Sequence, residues 1–145
     1  KASLLLMVQL TRLEATHLRE RAALQAAGAA PAKARQFLGA AARDSKKIAG
    51  ERMPWSTPLA QLLDAGLACA RGDADGAVRL LPAAAEGLAA AGMPLYAAAA
   101  RLRHGRLVGG DEGARLAGAA VEWMTSQGVK QPARLAAMLA PGFPD

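Results

Sequence analysis

The residues best suited to chemistry in this chain are His17, His104, Cys69 and the adjacent acids Asp111-Glu112. Neither histidine stands at metal-ligand spacing from another histidine or cysteine, so each reads as a packed or surface side chain. Cys69 has no histidine later in its own helical stretch to act as a base, and a free cysteine often serves as a small apolar residue. Asp111-Glu112 opens a helix, where acids favourably oppose the dipole. No Ser or Thr lies in a G-x-S-x-G setting. The glycine-bearing runs RGDADG and GGDEG lack the Lys-Ser/Thr of a phosphate loop and follow helices, not strands. No acid, base and nucleophile can be assembled from these residues, so the chain reads as a non-catalytic piece with no catalytic, cofactor-binding or metal-binding residue and no cofactor.

Charge is the more promising signal. Eighteen basic against 12 acidic residues give a net +6. The densest basic run is Arg101, Arg103, His104 and Arg106; Arg43, Lys46, Lys47 and Arg52 form a second cluster. These arginines and lysines are the candidate partner-binding residues. A solvated face explains them most simply and an acidic protein partner next. Nucleic acid is disfavoured because aromatics are scarce and not interleaved with the bases. Trp55, in the proline-flanked connection Met53-Pro54-Trp55-Ser56-Thr57-Pro58, is a candidate exposed anchor for a partner.

The elements that must carry these residues are helices. Ala and Leu, with 38 and 21 copies among 145 residues, lose little entropy in a helix, and branched residues are few. Leu59, Leu62, Leu63, Gly66, Leu67 and Ala70 fall on one helical face. Gly72-Asp73 ends that helix and caps the next, whose stripe includes Ala77, Leu80, Leu81, Ala84 and Leu88. So short a turn forces antiparallel packing. Pro82 is expected to kink the second helix rather than end it. Gly92-Met93-Pro94 repeats the Met-Pro junction of Met53-Pro54, Gly109-Gly110-Asp111 echoes Gly72-Asp73, and Gln127-Gly128-Val129 echoes Ala91-Gly92-Met93.

The spacing thus predicts an all-α domain of about seven helices over residues 1–145: hairpins over roughly 3–50, 56–91 and 94–127, then a capping helix over 132–140. A repeat near 36 to 40 residues points to stacked helical hairpins. A single cysteine excludes an internal disulfide, no signal segment or membrane-length apolar run is present, and a cytoplasmic setting follows as the expectation. The start at Lys1 without Met suggests a fragment of a longer protein.

Gly72, Asp73, Ala77, Leu81 and Ala84 match the offsets of a tetratricopeptide repeat, although Gln61 stands where that repeat carries a large residue. The C-terminal third is more specific. WMTSQGVKQPARLAAMLAPGF at Trp123 to Phe143, with GGDEG at Gly109 to Gly113 and MPLYAAAARLRHG at Met93 to Gly105, resembles the C-terminal end of large bacterial serine/threonine protein kinases. In that family a kinase domain precedes an ATPase-like region and a long helical repeat array. The resemblance spans roughly Met53 to Phe143. It implies the last hairpins of a right-handed, tetratricopeptide-like superhelix in a signalling protein, with Pro132, Arg134 and the Pro141-Gly142-Phe143 tail as its closing cap. It lends no catalytic residue, since the kinase's own loops are absent. The expected role is protein interaction or regulation, with a protein partner, other domains of the same chain, or a homodimer as occupants. An effector-sensing domain of a transcriptional regulator is the alternative reading, and a nucleic-acid-binding helical domain ranks behind it.

Overall fold

The computed structural model describes residues 15–19, 21–27, 31–51 and 53–144. Residues 15–19 and 21–27 are helical. A 3-10 turn at Pro31–Lys33 leads into α1 (Ala34–Gly50), α2 (Ser56–Ala70), α3 (Ala74–Ala90), α4 (Pro94–Val108), α5 (Gly110–Ser126) and α6 (Pro132–Leu139). The described residues contain no strand. Helices pack in chain order, and α6 returns to lie on α4. The helices α2 and α3 thus span 56–90, α4 and α5 span 94–126, and α6 spans 132–139. Most of the expected first helix, beginning near Ser3, lies outside the described residues.

Two glycine contacts show why the hairpins close so tightly. A Cβ on Gly87 of α3 would meet Pro58 Cβ of α2 at 2.6 Å, and one on Gly105 of α4 would meet Ala117 N of α5 at 2.5 Å. Both pairs join the two arms of an antiparallel hairpin, where a glycine lets the facing arm come close, through the Pro58 ring in one case and the Ala117 backbone in the other. The same economy of volume makes α4 the hub. Ala97, Ala98, Ala99 and Ala100 are all buried, which lets α3, α5 and α6 pack around one helix.

Three of the interhelix turns, α2–α3, α3–α4 and α5–α6, close in one way. The amide of Asp73 donates to Ala68 O, that of Met93 to Leu88 O, and that of Val129 to Met124 O, each just past a glycine with positive φ. This closure satisfies the last carbonyls of a helix and needs the left-handed backbone that glycine permits. Asp73 then caps α3, its Oδ1 accepting from Gly76 N at 2.7 Å. Gly109 departs from the expected echo of Gly72-Asp73. It alone separates α4 from α5, with φ 67° and no side-chain cap. Pro82 sits inside an uninterrupted α3, as its surrounding apolar stripe implies.

The leading helical residues do more than pair with α1. Arg19 makes a two-pronged pair with Asp44 of α1, at 2.7 and 2.5 Å. His17 reaches Tyr96 of α4, its Nε2 3.3 Å from the phenol oxygen. Leu24 is buried and lies against Gly66 of α2. These residues therefore bridge elements far apart in the chain.

Candidate functional site

The expected basic patch does not form as one unit. Arg101 and Arg106 are exposed on α4, and Arg43, Lys46 and Lys47 are exposed on α1. Lys47 is partly engaged, 3.3 Å from Asp44. Arg52 lies outside the described residues. Arg103, expected to face a partner, is instead 2% exposed. A turn of helix separates it from Ala99, so it falls on the face that α6 and the tail cover. It donates from Nε to Ala140 O at 3.2 Å and from Nη1 to Pro144 O at 3.1 Å, and its guanidinium stacks 5.4 Å from the Phe143 ring centre. Carbonyl acceptors and an aromatic face suit a buried guanidinium, whose planar fork keeps its charge. Arg103 thus pins residues 140–144, the C-terminal strap. Trp55, expected as an exposed anchor, is half-buried at the start of α2 and packs against the core.

The strap also meets α2. A Cβ on Gly66 would collide with the Pro141 carbonyl, and one on Gly142, where φ is 94°, would meet Gly66 O at 2.6 Å. Two glycines are thus required where backbone crosses backbone.

Between strap, α1, α2, α4, α6 and residues 24–27 runs a cleft of about 490 Å³, with Leu24, Leu38 and Cys69 in its lining. Two smaller depressions adjoin it. One of about 340 Å³ shares Arg103, Phe143 and Pro144 with the cleft and adds Arg106. The other, of about 420 Å³, shares Gln25 and Ala137 with it and adds Arg106 and Arg134. Apolar side chains line the inner part and arginines its outer run. Among the described residues no Asp or Glu lines any of the three.

The titratable candidates are set by burial. His17 is 7% exposed, and desolvation, helped by the nearby Arg21 charge, lowers its pKa to about 4. Its Nδ1 lacks a hydrogen-bond partner. Burial pushes the Cys69 thiol up, against a smaller pull from Arg103, which disfavours a reactive thiolate. Glu112 is held low by hydrogen bonds from Arg115, at 3.0 and 2.6 Å, as a surface pair at the start of α5. No cluster of three or more His, Cys, Asp or Glu that could hold a metal occurs among the described residues.

Sequence reasoning missed Asp44, which is buried on α1 and receives both Arg19 and Lys47. It also missed Gln25 and the place of Arg134 beside Arg106. Asp44 sits next to Ser45 on the inward stripe of α1, which is the one signal that would have found it. The described residues include no helix long and apolar enough to cross a membrane. No family model, curated protein or solved structure matches the chain.

Proposed function

We propose that this domain is a protein-interaction or regulatory module that works by contact rather than catalysis, as the C-terminal repeat region of a bacterial serine/threonine kinase would. The observation that carries this reading is the arginine-edged cleft beside the strap, half-open to solvent rather than closed over an apolar cavity. An open groove suits a polypeptide segment, whereas an effector-sensing domain calls for an enclosed pocket. Ala77, Leu81 and Ala84, buried at the tetratricopeptide offsets, support a tetratricopeptide-like stack of the hairpins built from α2–α3 and α4–α5.

Two measurements test the proposal separately. The coding sequence upstream of Lys1 is expected to carry a kinase domain with its glycine-rich loop and HRD and DFG motifs; an upstream region without them removes the kinase part. The immobilised folded domain is expected to retain a specific polypeptide from bacterial extract that a heat-unfolded sample does not. Equal retention by both removes the interaction part.

A further inference from the structure

We infer that the cleft and its two adjoining depressions form one docking groove for an acidic, extended polypeptide segment, with Arg106 and Arg134 as the residues that fix its carboxylates. The inference rests on the interaction reading above and gives it an address and a partner chemistry.

The argument begins with charge. Arg106 lines both outer depressions, Arg134 one of them, and no carboxylate lines the groove among the described residues. Arg106 is exposed in the last turn of α4 and makes no hydrogen bond or ion pair among the described residues. Arg134 donates only to the neutral Gln131 Oε1, at 3.0 Å. Among the described residues both guanidiniums therefore keep unneutralised charge at the groove, and a guanidinium fork matches a carboxylate in geometry as well as sign.

Shape then narrows the occupant. The three depressions adjoin one another through Gln25, Ala137, Arg103, Arg106 and Phe143, so a bound segment can touch the apolar inner part and the arginines together. An extended segment can place an apolar side chain over Leu24 and Leu38 while its acidic neighbours meet the arginines. Single-stranded nucleic acid would want an aromatic face for its bases. The aromatic in this groove is Phe143, and the Arg103 guanidinium already occupies one face of its ring.

The test is fluorescence anisotropy with the whole domain and a labelled ten-residue peptide alternating glutamate and leucine. The controls are a peptide with glutamine for every glutamate and a labelled ten-nucleotide oligouridine. The acidic peptide is expected to bind and to weaken with salt. Joint Arg106→Glu and Arg134→Glu substitution is expected to weaken it by about tenfold or more, as loss of charge-assisted bonds should. Arg79→Glu, at an exposed position of α3, should leave it within about twofold. Arg106→Gln and Arg134→Gln, with a far-ultraviolet melt of each protein, separate lost binding from lost folding. The inference falls if the acidic peptide does not bind, if the glutamine peptide binds equally, if Arg79→Glu weakens binding as much, or if oligouridine binds more tightly. Failure of the peptide while a polypeptide is still retained from extract overturns this groove assignment and leaves the interaction reading standing.

Discussion

Single side chains set how the domain responds to acid. His17 has an ordinary value of 6.5 and a folded value of about 4. The unfolded chain therefore takes up this proton before the folded one does. The neutral ring's contribution is fully present above pH 6.5 and is lost as pH falls toward 4. The expected slope inside that window is about 1.4 kcal/mol per pH unit. Urea unfolding at several pH values should show it, and His17→Gln should flatten it; an unchanged slope in the variant would count against the assignment. Asp44 acts in a lower window. Burial pushes its carboxyl up, but the hydrogen bonds and charges of Arg19 and Lys47 outweigh this and hold it below 3.8, so its contribution is present above that value and lost beneath it. Arg103 marks the limit of reading charge from a sequence. A run of Arg, His and Arg looks like a solvated face, and only the placement of Ala140, Phe143 and Pro144 turns its middle member inward.

Elements were more legible than sites, because their signals are local. Gly72 and Asp73 specify a stop and a start through bonds that span only a few residues, and α2 and α3 end and begin there. Asp73→Ala should cost about 1 kcal/mol in chemical denaturation, the usual worth of an N-cap. Gly76 adds a second restriction, since a Cβ there would run into the capping carboxylate. A loss below about 0.3 kcal/mol would mean that the cap bond adds little to the fold. Gly109 was misread for an equally local reason. A Gly-Gly-Asp string resembles Gly-Asp, yet here two glycines, at φ 67° and 59°, reverse the chain and no side chain caps the next helix. The groove was not legible at all, because its walls come from residues 24–27, α1, α2, α4, α6 and the strap.

The whole molecule departs from a simple row of hairpins. In such a row each repeat touches only its neighbours, and stability is close to a sum of nearest-neighbour contributions. Here His17 reaches α4, Leu24 reaches Gly66, and Pro141 crosses the same glycine. Gly66→Ala tests this closure. In an unobstructed helix the change would stabilise by about 1 kcal/mol. Against the Pro141 carbonyl it should instead destabilise by about 1 to 3 kcal/mol, read as a lower melting temperature in far-ultraviolet circular dichroism. A raised melting temperature would show that the strap is not held there.

That crossing works like a buckle on a belt. A row fastened only link to link can melt piecemeal, one hairpin at a time. A row cinched where early and late residues meet on one glycine must let go as a single event, so amide protons in α2, α4 and α6 should exchange with one common limiting free energy.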